Sequence, residues 1–258
     1  MKDKKTILFG ITNDEDRSFM SHMYDLYAKS EKTARTMYSR FLSPGQRLMC
    51  ETRFAPFCNV SFFGGYDGAE RVMASFGSSG TPEENYPLCG VRIETKGVKE
   101  LTHRDFLGSL LSLGISRELV GDIIIEGKTA IVFACEDIAD FLTMNLNRVG
   151  RAPASLSVLY DLSDIQVQRE FKETYATVSS LRLDAVLAAA FHRSRSECAR
   201  LIEEGLANVN YSVQKSVSYP VKDGDIISLR SYGKFELSTD RSLTKKGRIS
   251  VIIKKYGG

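Results

Sequence analysis

The alternation of apolar and polar residues divides the chain into three blocks, the first of which spans residues 1–80. One helix is predicted by five apolar residues at helical spacing: Phe19, Met20, Met23, Leu26 and Tyr27. A second helix, expected to end at residues 43–45, is predicted by a further apolar set: Ala34, Met37, Tyr38 and Phe41. Segments 60–63 and 70–76 flank a glycine-rich turn. We therefore expect a helical N-terminal α+β domain that carries a β-hairpin.

The second block, residues 83–165, alternates between strand and helix periodicity. The predicted strands cover residues 89–95, 122–126, 129–134 and 155–160, and the predicted helices cover 104–113 and 138–146. This order, β-α-β-β-α-β, predicts a ferredoxin-like domain, a topology that RNA-recognition modules share. The third strand offers one aromatic residue, Phe133, so we do not expect the base-stacking platform of those modules.

The third block, residues 181–258, predicts two short helices followed by strands. The first helix has an apolar stripe that begins at Leu181, and the second has the capping-box spacing of Ser194 and Glu197. Gly205 is placed to end the second helix in a left-handed conformation. Segments 207–211 and 226–230 alternate like strands around a turn. The preceding residues, 171–180, are interpreted as the connection between blocks.

These residues resemble the RNA-binding domain named after ribosomal protein S-four. The matching text is RLD at residues 182–184, SRSECARLIEEG at 194–205 and VKDGDIISLR at 221–230. The resemblance implies that this block binds structured RNA. Charge agrees, because residues 181–258 hold 14 Lys and Arg against 8 Asp and Glu, a net +6, whereas residues 1–180 are net −3. A local basic excess suits neutralisation of phosphates.

The layout of all three blocks resembles the YlmH family of bacterial RNA-binding proteins. The residues that carry this resemblance are FFGGYDGAER at 62–71, LTHRDFLGSLLSLGISRELVGDI at 101–123 and SLRSYGKFEL at 228–237. The family resemblance implies a cytoplasmic factor that associates with ribosomes. Its implied partners are the large subunit, rRNA and tRNA, in the rescue of obstructed subunits that still hold peptidyl-tRNA. It also implies a link to cell-division proteins.

Candidate RNA-binding residues are the cations, polar groups and one aromatic ring that the predicted elements expose. Guanidinium groups near helix N-termini suit phosphate, and a tyrosine beside cations could stack on a base. The candidates are Arg182, Arg193, Arg195, Ser196, Arg200, Asn210, Lys215, Arg230, Tyr232 and Lys234.

Motifs for catalysis fail their spacing tests. Gly127-Lys128-Thr129 lacks the upstream glycine of a phosphate loop, and His103-Arg104-Asp105 lacks the downstream asparagine of a kinase. The RLD text lacks the flanking residues of pseudouridine synthases, and the glycines of 64–68 lie in a predicted hairpin turn, not in a methyltransferase loop. We expect no enzyme, cofactor or metal site. Two alternatives stay open: an RNA-modifying enzyme of the pseudouridine-synthase or methyltransferase type, and a cell-division adaptor with secondary RNA binding.

Composition sets the remaining expectations. No apolar run reaches the ~18 residues that a membrane span needs, and the first residues lack a signal-peptide core. The five cysteines contain no C-x-x-C pair, so we expect reduced thiols. The chain is therefore expected to be a cytoplasmic monomer without membrane insertion.

Overall fold

Helices and three antiparallel sheets build a mixed α+β protein. The computed structural model describes residues 3–77, 82–96, 100–165, 167, 171–239 and 247–256. The chain divides into an N-terminal unit, Met1–Val167, and a C-terminal unit, Gln168–Gly258. The longest described helix has 20 residues and several charges. No helix in the described ranges has the length and apolarity to cross a membrane.

The first part of the N-terminal unit packs three helices against a small sheet. Its elements are α1 (Lys4–Leu8), α2 (Asp14–Thr33), β1 (Met37–Leu42), α3 (Pro44–Phe54), β2 (Val60–Phe63) and β3 (Val72–Phe76). The sheet order is β1-β3-β2. Strands β2 and β3 pair from Val60↔Phe76 to Phe63↔Met73, which confirms the predicted hairpin. The α2 face predicted from the apolar spacing is buried at Met20, Met23 and Tyr27.

The prediction of a second helix ending at residues 43–45 is wrong. Helix α2 ends at Thr33, Ala34 is left-handed with φ of 52°, and Met37–Leu42 is strand β1. Helix α3 begins where an ending was expected. The Ser43 hydroxyl caps the Gln46 amide at 3.3 Å, and the Gln46 side chain accepts from the Ser43 amide at 2.8 Å. Proline has no amide hydrogen to satisfy at the first helical position, so Ser-Pro-Gly begins this helix.

The second part of the N-terminal unit is a five-stranded sheet with helices. Its elements are β4 (Leu88–Thr95), α4 (His103–Leu111), β5 (Val120–Glu126), β6 (Thr129–Cys135), α5 (Ala139–Asn145), β7 (Arg148–Val149) and β8 (Ala152–Leu159). The sheet order is β5-β6-β4-β8-β7, and all neighbours are antiparallel. The core is apolar and includes Val91, Ile93, Phe106, Leu110 and Leu142. Glu126 pairs with Thr129, so Gly127 and Lys128 form a two-residue hairpin turn.

Both parts of this unit share an aromatic cluster. Tyr66 stacks on Phe133 with ring centroids 5.0 Å apart, and the Tyr66 hydroxyl donates to Asp122 at 2.8 Å. Gly65 leaves the space that the Phe133 ring fills, because a Cβ there would lie 2.2 Å from the ring. The predicted linker at 77–82 falls largely outside the described residues. A domain boundary near residue 80 stays a prediction.

The C-terminal unit places two helices against a six-stranded sheet. Its elements are β9 (Phe171–Val178), α6 (Leu183–Phe191), α7 (Arg195–Glu203), β10 (Ala207–Val209), β11 (Ser212–Val213), β12 (Ile226–Leu229), β13 (Gly233–Ser238) and β14 (Ile249–Tyr256). The sheet order is β11-β10-β12-β13-β14-β9. Both predicted helices form, and Gly205 has the expected left-handed φ of 75°.

Residues 171–178 are a strand, so the interpretation of 171–180 as a mere connection is wrong. Strand β9 pairs with β14 along its whole length, from Phe171↔Tyr256 to Val178↔Ile249. Val178 is buried in the core of the unit, and Ala176 packs against that core. Exposure alternates along the second half of β9, where Tyr175 and Thr177 are exposed and Ala176 and Val178 are not, which fits an edge strand with one solvated face.

Candidate nucleic-acid interface

A buried carboxylate holds two arginines at the N-terminal ends of α6 and α7. Asp184 is 4% exposed. It accepts hydrogen bonds from Nε of Arg182 at 3.1 Å and from Nε of Arg195 at 3.1 Å. Arg182 is the N-cap of α6, and Arg195 is the first residue of α7. The helix pair therefore presents two guanidinium groups in a defined orientation around one carboxylate.

Two opposing effects act on the pKa of Asp184. Burial raises it, but the hydrogen bonds from Arg182 and Arg195, together with their charges, lower it more, so the net shift is downward. The carboxyl group is therefore ionised at neutral pH. Its position in the first turn of α6 also suits the positive end of that helix. The cation of Arg195 is unfavourable at the positive N-terminal end of α7. The negative charge of Asp184 offsets this repulsion.

Arg193 lies over the ring of Tyr232, with its guanidinium carbon 5.2 Å from the ring centroid. Tyr232 also packs against Phe191 at a centroid distance of 5.8 Å. Arg193 further reaches Glu197 at 3.7 Å. Arg193 thus already occupies one face of the candidate stacking ring, and an RNA base would have to use the other face or displace the arginine.

The exposed surface of α7 carries the other helical candidates. The Arg200 side chain is 61% exposed and pairs with Glu204, one helical turn along. The hydroxyl of Ser196 lies 3.1 Å from that of Ser194, which caps the helix by accepting from the Glu197 amide. The predicted start of this helix at Ser194 is therefore confirmed. Four carboxylates, those of Asp184, Glu197, Glu203 and Glu204, accompany the four arginines of α6 and α7, so the formal charge of this segment is balanced.

The candidates from the strands have different surroundings. Asn210 donates to Asp225 at 2.8 Å and accepts from the Ile226 amide at 3.0 Å, so its side chain ties β10 to β12. Its left-handed φ of 49° suits the turn position. Lys215 is exposed beside Gly205 at the end of α7. Arg230 is exposed after β12, and Lys234 lies on β13 opposite Ser228.

Basic residues on the sheet edge formed by β9 and β14 were not predicted from the sequence. Lys172 and Lys255 are directly opposite each other in the register, and like charges so placed repel. The ammonium of Lys255 lies 5.2 Å from the ring centroid of Phe191. Arg248 donates to the Thr177 carbonyl at 2.6 Å. The net +6 of residues 181–258 includes Arg248 and Lys255 without placing them, and it does not include Lys172.

Groups suited to other chemistry are not gathered in the part of the chain that the structure describes. There, no three His, Cys, Asp or Glu side chains lie together as metal ligands. All five cysteines are free thiols. Burial raises the pKa of Cys50 and of Cys89 to about 12, which keeps both protonated and unreactive at neutral pH.

Comparison with known proteins agrees with this architecture. Residues 83–161 match a family model described as "Putative RNA-binding domain in YlmH", and residues 181–227 match the S4 domain. A relative named Ribosome-associated protein quality control protein P2, from Bacillus subtilis (strain 168), is 32% identical over 249 residues. The match covers 93% of this chain and 95% of the relative. The chain belongs to the YlmH family.

A solved structure of a YlmH protein, named Cell division protein ylmH from Streptococcus pneumoniae, shares this fold. The match has a TM-score of 0.50 and 20% identity, and it covers 58% of this chain and 94% of that one. The family membership confirms the resemblance drawn from the FFGGYDGAER, LTHRDFLGSLL and SLRSYGKFEL segments. It also confirms the S4 domain at the C-terminal end.

Proposed function

We propose that this YlmH protein is a non-enzymatic RNA-binding factor of ribosome quality control that acts on the large subunit. The observation that carries the proposal is the pair of arginines fixed by Asp184 at the start of α6 and α7. A rigid pair of guanidinium groups suits the backbone phosphates of a folded RNA. The S4 domain in which they lie has a net charge of +6 over residues 181–258.

The relative from Bacillus subtilis supports the cellular role. That protein is named for ribosome-associated quality control, and it aligns with almost the whole of this chain. The corresponding partners here are the large subunit, with rRNA and tRNA as the RNA bound, and the corresponding location is the cytoplasm. The matches to an RNA-binding domain model and to the S4 domain support RNA binding.

We assign the RNA contact to the surface of α6, α7 and the adjoining strands. Arg182 and Arg195 would grip phosphate, and Arg193, Ser196 and Arg200 would extend that contact along α7. Lys215, Arg230 and Lys234 would add charge from the strands, and Tyr232 would stack. The contacts of Asn210 within the fold support a structural role in the turn instead.

The N-terminal unit would supply a specific docking surface. Strands β4, β5, β6 and β8 have the order β5-β6-β4-β8 and are antiparallel throughout, which supports a ferredoxin-like arrangement. Residues 1–180 are net −3, so this part of the chain is poorly suited to general attraction of RNA. Selectivity for a particle would arise from several surfaces engaging at once.

The test compares binding of the full chain to purified large subunits and to an equal mass of unstructured RNA. We expect a clear preference for the subunits, with log affinity falling by roughly 0.7–0.9 per phosphate contact as log salt rises. Equal affinity for the large subunits and for the unstructured RNA would contradict the ribosome proposal. An rRNA modification that appears only with the protein would favour the enzyme alternative. Binding to cell-division proteins without subunit binding would favour the adaptor.

A further inference from the structure

A cavity in the N-terminal unit has no part in the RNA contact proposed above. It encloses about 480 Å³ among α2, β1, the start of α3 and the segment before β5. Its charged and polar lining includes His22, Arg40, Gln46, Arg71, Arg117 and Glu118. We call this cavity the arginine pocket. Three guanidinium groups and one carboxylate line it, in a part of the chain whose overall charge is negative.

Backbone carbonyls, not carboxylates, hold two of these arginines. Arg71 donates from Nε to the Val120 carbonyl at 3.0 Å and from Nη2 to the Phe41 carbonyl at 3.1 Å. Arg117 donates from Nη1 to the same Val120 carbonyl and to that of Gly121 at 3.2 Å. Because both side chains bond to one oxygen, the two guanidinium groups lie side by side. Neutral carbonyls orient the two guanidinium groups, and the charge of one carboxylate, Asp122, acts on both of them.

The nearest carboxylate is turned toward other donors. Asp122 accepts from the Tyr66 hydroxyl at 2.8 Å and from the amides of Glu70 and Arg71 at 2.7 and 3.1 Å. Burial and the charge of Arg71 lower the pKa of Arg117 to about 10, although the charge of Asp122 acts in the opposite direction. A half-buried pair of like charges is therefore present at this wall of the cavity.

The start of α3 adds the positive end of a helix to the lining. Ser43, the N-cap of α3, and Gln46, three residues later, both line the pocket. The partial positive charge of this helix end adds to that of the arginines. Arg40 is also on the wall and is positioned by Asp137 at 2.6 Å.

We propose that the arginine pocket binds a phosphate group, carried either by a free nucleotide or by the phosphorylated end of an RNA. Guanidinium groups match phosphate oxygens in geometry and charge. The cavity lies in the size range of small-molecule sites, roughly 300–1,000 Å³, so it has room for more than an isolated ion. This site is separate from the C-terminal surface of the proposed function and does not depend on it.

The test uses the full-length protein and calorimetric titration with inorganic phosphate, adenosine monophosphate, and a short RNA with or without a 5′ phosphate. Sodium chloride holds the ionic strength constant, because exposed charges are screened. We expect saturable binding of the phosphorylated probes. A 5′-phosphorylated RNA that binds more tightly than both the monophosphate and the same RNA without its 5′ phosphate would identify RNA as the source, because the C-terminal unit should bind both RNAs alike. A monophosphate that binds as tightly as that RNA would identify a nucleotide.

Two substitutions change the charge of the wall without touching the paired arginines. Gln46→Glu should preserve the cap of α3, since glutamate is common at this capping-box position. Its carboxylate should weaken phosphate binding by about tenfold or more. Glu118→Gln removes the acidic residue of the wall and should strengthen binding. Arg200→Gln, in the C-terminal unit, is the matched control and should leave phosphate affinity unchanged.

Three results would overturn the proposal. The first is an absence of saturable binding for every phosphorylated probe. The second is equal phosphate affinity in the wild type, Gln46→Glu and Glu118→Gln proteins. The third is loss of phosphate binding in Arg200→Gln, which would assign the anion to the C-terminal unit. Subunit binding measured on the same variants distinguishes this proposal from the ribosome proposal, because Arg200→Gln should affect only the latter.

Discussion

The substitution Asp184→Asn tests whether Arg182 and Arg195 bind RNA through their fixed orientation or through their charge alone. Asparagine has nearly the size of aspartate but no charge, so Arg182 and Arg195 would lose their shared counter-ion. The protein would become more positive by one charge, and a grip based on charge alone would bind RNA more tightly. We expect weaker binding, because the two guanidinium groups would no longer be held in one orientation before RNA arrives.

The size of the effect follows from the contacts. A hydrogen bond to a charged group contributes roughly 1.5–3 kcal/mol. Arg182 and Arg195 are 43% and 51% exposed, so solvent screens both interactions, and the amide oxygen of asparagine retains part of them. We therefore expect the free energy of unfolding to fall by about 1–2 kcal/mol. RNA affinity should fall roughly five- to tenfold, which corresponds to about 1 kcal/mol.

Urea unfolding of the full-length protein and titration with purified large subunits at constant salt measure the two effects. Glu204→Gln is the matched control, because it removes one negative charge from the exposed partner of Arg200. It should leave stability unchanged and leave RNA affinity equal or slightly higher. If Asp184→Asn tightens RNA binding as much as Glu204→Gln does, then Asp184 competes with phosphate, and the positioning argument is wrong.

Arg200→Ala should weaken subunit binding by about 1–2 kcal/mol with an unchanged urea midpoint, whereas Leu201→Ala should lower the free energy of unfolding by about 2–4 kcal/mol because Leu201 is 6% exposed. Early unfolding of the arginine variant with normal binding would show that Arg200 is structural. The stability that Asp184 contributes should be fully present above its unfolded-state pKa and should be lost as pH falls through its lower folded-state pKa. The stability difference between wild type and Asp184→Asn should therefore be constant from neutral pH to about pH 5 and shrink below about pH 4; a difference that grows on acidification would contradict this. A fragment of residues 168–258 should fold and bind RNA, whereas a fragment of 181–258 should be less stable because it lacks β9; equal urea midpoints for the two would refute the role of that strand.

The parts of the fold that sequence could predict were those with local signals. The helices of the S4 domain have apolar stripes, a serine cap and a C-terminal glycine, and all of them form as expected. Met37–Leu42 was misjudged because apolar residues at 37, 38, 41 and 42 fit a short helix as well as a strand. Pairing of β1 with β3 decides the conformation, and that contact joins residues about 35 positions apart along the chain.

Strand β9 and the interior of the candidate site depend on contacts that are distant in sequence. The partner of β9 is β14, more than 70 residues later, so no local pattern could reveal the pairing. From the sequence, Asp184 was recognised only as part of the RLD text at residues 182–184. Its bond to Arg195 exists because the turn between α6 and α7 folds the start of one helix onto the start of the other.

The positions of the charged residues in the C-terminal unit indicate how its excess of basic residues should contribute to RNA binding. On α6 and α7, Asp184, Glu197 and Glu204 lie beside four arginines, so this surface holds fewer unbalanced charges than its arginines suggest. Much of the excess lies instead on strands and turns, in residues such as Lys172, Lys215 and Lys255. Balanced, oriented arginines suit recognition of RNA shape, and scattered lysines suit attraction over distance. A single module can therefore combine salt-dependent approach to the ribosome with a contact whose geometry selects one site.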